Sequence, residues 1–172
     1  PSIISGDRKF YVPNSYSLEA SNCGIDSSGK QYIRVKGVRW YTNIDHPKRH
    51  MMLPLDLGYT NKGHEEMYPK YDNYDAIEVS KTSEIPCDYE GIMGVPITFL
   101  DKYCPEQFEI LGCTANPESN SVEKKKRSDK ALRLIKENRL KGAKCVGGNS
   151  NIYIDSEDYV HVKYHRILIR KK

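Results

Sequence analysis

The sequence predicts an α+β fold dominated by strands. Three observations lead there. Apolar and polar residues alternate with period two through 31–44 and 160–169, as strands with one covered face require. Helix-period spacing is clear in one place, 128–140, where Ala131, Leu134 and Ile135 make an apolar stripe edged by Leu132. Between such segments, clusters of Gly, Pro, Asn and Ser interrupt the chain at short intervals.

In chain order, 9–12 reads as a strand ended by Pro13, and 18–30 as a loop. In 31–44, Tyr32, Arg34 and Lys36 fall on one side, with Ile33 and Val35 on the other. Gly37 breaks the phase, and Val38, Trp40 and Thr42 resume it. Two strands, or one long strand bulged at Gly37, fit this pattern. Residues 45–50 turn out of the strand, and 51–67 are irregular, with Pro54, Gly58 and Gly63. A short strand is expected at 76–79 and a turn-rich connection at 85–94. The apolar run 95–103 suits a helix with Pro96 as its first residue, where a missing N–H costs nothing, finished before Pro105. A strand follows at 108–111.

Residues 114–128 are rich in Asn, Pro, Ser and Lys, and 116–128 is the expected mobile linker. It separates a region 1–115 from a basic helix and closing strands at 129–172. Ser128 can cap the helix and Gly142 can stop it. Strands are expected at 144–146, 151–154 and 160–169. In the last, His161, Lys163, His165, Ile167 and Ile169 would share one face.

Composition narrows the function classes. The net charge of +4 is unevenly placed. Residues 123–144 hold ten Lys/Arg against three Asp/Glu, and 159–172 hold five Lys/Arg and no acid. These segments carry +7 and +5, so the remainder carries −8. Basic segments on an acidic body suit a phosphate backbone, with salt-dependent binding; a solvated helix and terminus are the plainer alternative. Thirteen tyrosines against three phenylalanines supply rings with polar tips, suited to wet interfaces or half-buried strands. Five cysteines at scattered spacings, with no CxxC pair, read as reduced thiols, which points to a cytoplasmic location. No apolar run approaches membrane-spanning length, so no membrane partner is expected. The start at Pro1, without Met, fits a fragment or a processed chain.

No catalytic constellation stands out. Asp72, Asp75, Glu78 and Lys81 lack the acid-x-Lys triplet of a nuclease. His46 and His50 are four apart, but Pro47 lies between them and no acidic or Cys partner is close, so no metal site is expected. Nucleic-acid contact is better supported. Residues 68–74, YPKYDNY, combine Lys70 for phosphate, Asn73 for adenine edges, and the stacking rings of Tyr71 and Tyr74. Arg39, Lys48 and Arg49 flank the segment from Trp40 to Asn43, and Lys124, Lys125, Lys126 and Arg127 form a basic run.

PKYDNYDAIEV, followed by IPCDYEGIMGVPITFLDKYCPEQFEILG, resembles the adenine-specific DNA methyltransferases of the EcoRI modification-methylase type. VRWYTNIDHPKRH is similar to that family's WFTNLDH segment, and YHRILIRKK to its closing strand. These matches cover roughly half the chain. The family's catalytic [DNS]-P-P-[FYW] tetrapeptide is absent, the one Asn-Pro pair being Asn116-Pro117 followed by Glu118. A Gly-rich strand–turn–helix for S-adenosylmethionine is absent too; Val146-Gly147-Gly148-Asn149 reads better as a turn between strands.

The resemblance therefore implies the C-terminal half of a bacterial or phage restriction-modification enzyme, completing a Rossmann-like methyltransferase sheet and recognising double-stranded DNA. The parent would use S-adenosylmethionine, while this chain alone would hold no catalytic or cofactor-binding residue. The resemblance also places Trp40, Tyr41 and Asn43 near the base pocket, although filling the core is the plainer role for the single tryptophan. Separation from a missing N-terminal catalytic half would open sheet edges to pairing, a route to homodimers. The alternative is a free-standing, non-catalytic nucleic-acid-binding module.

Overall fold

The computed structural model describes residues 2–18, 23–61, 65–142, 146–148 and 150–172. The chain falls into two compact units, 1–45 and 46–172. The segment 116–128 lies inside the second.

The first unit is a three-stranded antiparallel sheet. β1 (Ser2–Tyr11) pairs with β3 (Gln31–Thr42), which also pairs with β2 (Cys23–Ile25). The strand at 31–44 is thus one long strand, and its bulge lies where Gly37 interrupts the alternation. Register passes from Gly6↔Val38 to Arg8↔Val35, three steps on β3 against two on β1. Residues 18–30, expected as loop, contain β2. The loop proper is 26–30, where Asp26 Oδ1 accepts from the Ser28 amide (2.9 Å), the Ser28 hydroxyl (2.7 Å) and the Lys30 amide (3.0 Å).

The second unit holds two sheets. In the larger, of order β4-β5-β10-β6, β4 (Ile77–Glu78) runs parallel to β5 (Met93–Val95). β10 (Ile167–Lys171) is antiparallel to both β5 and β6 (Phe108–Cys113). Ile167, Leu168 and Ile169 are buried between these neighbours, and Phe99 packs edge-on against Phe108 at 5.3 Å. The link from β4 to β5 contains a 3₁₀ turn, Thr82–Glu84, and no α-helix. The described residues therefore contain no strand–helix–strand crossover there. β6 bulges at Leu111, between Ile169↔Ile110 and Leu168↔Gly112. Gly112 sits at φ 153°, where a Cβ would come within 2.0 Å of Asn120 Oδ1. That oxygen accepts the Cys113 amide at 2.7 Å, so the bulge and the 3₁₀ turn Pro117–Ser119 fit together only around glycine.

The smaller sheet, of order β7-β9-β8, comprises β7 (Leu140–Gly142), β8 (Asn151–Ile154) and β9 (Val160–Lys163). Helix α1 (Asp129–Lys136) covers it, burying Ala131 and Leu134 with Ile152, Val160 and Val162. The Ser128 hydroxyl accepts the Ala131 amide at 3.1 Å, the expected N-cap.

Four expectations need correction. The helix at 95–103 is a 3₁₀ turn, Ile97–Asp101, with Pro96 as its cap and Val95 still in β5. α1 ends at Lys136 and is stopped by Asn138 rather than by Gly142. With φ 57°, Asn138 donates to Ile135 O (3.1 Å) and Arg139 donates to Leu134 O (3.0 Å), a Schellman closure that leaves Gly142 in a strand. The strand at 160–169 is two strands in different sheets, with 164–166 as connector, so His161 and His165 do not share a strand face. The 85–94 connection ends in β5. The strand expected at 144–146 lies mostly outside the described residues. Among those residues no helix is long and apolar enough to cross a membrane, and Cys23, Cys87, Cys104 and Cys113 are free thiols.

Two exposed carboxylates tie loops together. Asp88 accepts the Thr60 hydroxyl (2.6 Å) and the Tyr59 amide (2.5 Å), which hold its pKa at about 2. Glu106 accepts from the Cys104 thiol (3.1 Å) and pairs with His50 (2.6 Å), and it is likewise held at about 2. Lowered folded-state values mean that their contribution is complete above the unfolded values, 3.8 and 4.5, and is lost as pH falls toward about 2. Unfolding free energy should therefore decline between roughly pH 4.5 and 2. Denaturant titration across that window checks it, and Asp88→Asn should flatten part of the slope.

A candidate nucleic-acid interface

The residues 68–74 were expected to face DNA, but most of them face inward. Tyr68, Tyr71 and Tyr74 are 2%, 5% and 1% exposed, and Asn73 is fully buried. The segment folds back on β4: the Tyr71 amide donates to Ala76 O at 3.0 Å and the Glu78 amide to Pro69 O at 2.8 Å. Asn73 joins the two sheets of the unit. Its Nδ2 donates to Ser150 O (3.0 Å) and its Oδ1 accepts the Ile152 amide (3.2 Å). Direct DNA contact by Tyr71, Asn73 and Tyr74 thus gives way to a scaffold role, because their polar groups are buried. Lys70 remains exposed.

Beneath the segment lies a buried ionic cluster. Glu78, 0% exposed, accepts Arg166 Nη2 at 2.7 Å and Nε at 3.1 Å, with Lys163 Nζ at 3.7 Å. The Tyr71 hydroxyl donates to the same carboxylate. Burial and the Glu78 charge push the Tyr71 phenol well above its ordinary value, so it stays protonated and donates to that carboxylate. Burial lowers the Arg166 value, but bonding to Glu78 outweighs this and raises it overall. Gly94 makes the cluster possible, since a Cβ there would lie 2.5 Å from the Tyr71 hydroxyl.

The basic run is laid across this scaffold. Lys124 forms a bridge with Tyr74, and the Lys125 amide donates to Asn73 O at 2.9 Å. Val122, just before the run, is buried against Tyr71, Tyr74 and Leu168. Just after it, Ser128 donates its amide (2.9 Å) and its hydroxyl (2.5 Å) to Asp72, which locks the start of α1 to the tyrosine-rich segment. Lys124 Nζ donates to Gly148 O and Arg127 Nη2 to Gly147 O, each at 2.5 Å, so both cations clasp the loop before β8. Lys126 is exposed, and Lys125 is exposed with a long 3.7 Å pairing to Asp75, a geometry that contributes little in water. The structure thus brings residues 70–74 and 124–127 together, as floor and overlay.

The other candidates lie elsewhere. Lys48 and half-buried Arg49 are on a 3₁₀ turn, Pro47–His50, beside a groove lined by Met51, Met52, Leu53 and Pro54. Gln107 clips that groove by exchanging two 2.8 Å hydrogen bonds with the Leu53 backbone. Asn43 is exposed just after β3. The side chains of Arg39, Trp40 and Tyr41 lie outside the described residues. Among those residues no group of three His, Cys, Asp or Glu could hold a metal ion.

The two tyrosines of the floor separate by substitution. Tyr74 is buried with no partner for its hydroxyl among the described residues, so Tyr74→Phe should leave stability unchanged or raise it. Tyr71→Phe strips a donor from a buried carboxylate and should cost about 1–3 kcal/mol. Urea unfolding of both variants makes the comparison.

Three curated proteins illustrate what the chain is similar to. Type II methyltransferase M.EcoRI of Escherichia coli is 53% identical over 102 residues, 59% of this chain and 31% of that protein. Type II methyltransferases M.MgeORF184P of Mycoplasma genitalium and M.MpnI of Mycoplasma pneumoniae are each 40% identical over 114 residues, 66% of this chain and 33% of theirs. The chain thus spans about a third of the length of the relatives it matches. No solved structure is significantly similar. The family described as adenine-specific methyltransferase EcoRI matches residues 1–172 throughout, and the chain belongs to that family.

Proposed function

We propose that this chain is the C-terminal, DNA-recognising portion of an S-adenosylmethionine-dependent DNA adenine-N6 methyltransferase of a restriction-modification system, working in a bacterial or phage-infected cytoplasm. The observation that carries the reading is the basic run, pinned at Lys124 and Arg127 and projecting Lys125 and Lys126 outward from a rigid floor. Ordered cations along an extended segment suit a phosphate backbone, which fixes position before bases are read. Family membership supplies the substrate class, and the relatives' names supply the restriction-modification setting.

S-adenosylmethionine does not fit the described residues. Its cradle needs a glycine-rich turn between a strand and the helix that follows. Here α1 follows the basic run, and Gly147 and Gly148 precede the strand β8. No [DNS]-P-P-[FYW] tetrapeptide is present either. In this reading both are supplied by sequence beyond this chain, which contributes position on the DNA and no chemical step. Incubated with S-adenosylmethionine and duplex DNA, the 172-residue chain should transfer no methyl group; labelled-methyl incorporation checks this.

The footprint is tested by changing Lys125 and Lys126 together to Ala, which leaves the two clasping cations in place. Affinity for duplex DNA should fall, and the slope of log affinity against log salt should drop by about 2, near 0.9 per lost phosphate contact. Titration between 50 and 200 mM salt reads this out, using conditions in which such slopes are large. An unchanged slope removes these lysines from the footprint.

A further inference from the structure

The connector between β9 and β10 is three residues long, and buried side chains and backbone hold it at Tyr164 and Arg166. Tyr164 O accepts Asn151 Nδ2 at 3.0 Å. The Arg166 amide donates to Thr114 Oγ1 at 2.8 Å, and Arg166 O accepts the Thr114 amide at 2.9 Å. Asn151 Nδ2 also donates to Thr114 Oγ1 at 2.9 Å, and both of these residues are fully buried. Lys163 and Arg166, one on each side, converge on Glu78. What this connector presents is Tyr164, 87% exposed, and His165, also exposed. A stray aromatic on a surface needs no explanation, and most sit on segments free to move. Tyr164 differs because its backbone is held by a buried network, so its ring is displayed without the entropy of ordering a loop.

Its surroundings point to the ligand. His165 lines a recess of about 360 Å³ with Ala115, Gly147, Gly148 and Ser150. Lys124 and Arg127 clasp the Gly147 and Gly148 carbonyls and so place positive charge at its rim. An exposed ring, a recess lined by the residue next to it, and cations that hold two of that recess's glycine carbonyls suit stacking beside a phosphate track. We infer that Tyr164 stacks on a base at a step where the DNA is locally unstacked, beside the phosphate track of the basic run. Distorting a duplex to free a base costs a few kcal/mol, which an aromatic face can partly offset.

This inference rests on the DNA-recognition reading above, and the experiment separates the two. Duplex-DNA affinity and its salt slope are measured for the intact protein and for Tyr164→Ala, Tyr164→Leu and Tyr164→Phe. The residue is too exposed for these changes to disturb a core. Tyr164→Ala and Tyr164→Leu should weaken binding by about tenfold, the scale of losing one base–aromatic stack, with the salt slope unchanged. Tyr164→Phe should bind nearly as the unaltered protein does. A 2-aminopurine substituted near the contacted step should brighten on binding by the unaltered and Phe proteins, and much less with Ala. Unchanged affinity of Tyr164→Ala, or an equal loss in Tyr164→Phe, overturns the stacking role and leaves the basic track standing. The first of these results would turn the exposed ring toward a protein partner instead. If the unaltered protein shows no salt-dependent DNA binding, the recognition reading fails and the stacking site fails with it.

Discussion

The carboxylate of Glu78 is the point on which the second unit turns. An ionised carboxylate without water is tolerable only when it is paired and fully hydrogen-bonded. Here one carboxylate gathers Arg166, Tyr71 and, at longer range, Lys163. Those partners come from the tyrosine-rich segment and from both ends of the β9–β10 connector. Removing one partner of such a pair costs about 3–5 kcal/mol, since the other charge is left stranded. The same burial makes the geometry selective: no register of β4 other than the observed one puts Glu78 against Arg166. Thr114, Asn151 and Asn73 extend the network, each bonding backbone from a distant part of the chain.

The strands were legible where apolar and polar residues alternate, as in β3 and in β9, where Val160 and Val162 are the buried pair. The N-terminal end of α1 was legible because an N-cap is a local matter of one serine and the amide three residues on. The errors have non-local causes. In 160–169 the alternation passes through the connector without a break, and only pairing partners in two different sheets divide it. Gly142 is the residue expected to stop a helix, but Asn138 accepts the left-handed conformation earlier, and the strand pairing of Leu140–Gly142 claims the glycine. The run 95–103 has helical composition, yet Val95 is held in β5 by its pairing with Ile167.

The site was legible in location more than in role. Tyrosine, lysine, asparagine and aspartate packed into a short segment look like a wet interface, and composition alone cannot tell which side of a backbone they occupy. Asn73 has two polar ends that serve a DNA base or a pair of strands equally well. Burial decided for the strands, and the residues left outside are Lys70 and the basic run laid over the segment. Tyr164 passed unnoticed for the same reason the connector did: read as one face of a continuous strand, it had no distinguishing position.

The placement of β10 has a consequence for how the protein is made. It lies between β5 and β6, and joins the β4–β5 pair to β6. On the ribosome it is synthesised after every other element of the unit. The neighbouring strands must therefore stay apart, with Phe99, Phe108 and Met93 still wet, until residues 167–171 have left the exit tunnel. Closure of this sheet is a late, long-range event, and a chaperone meeting the nascent chain would find its hydrophobic core open until translation of this strand is complete.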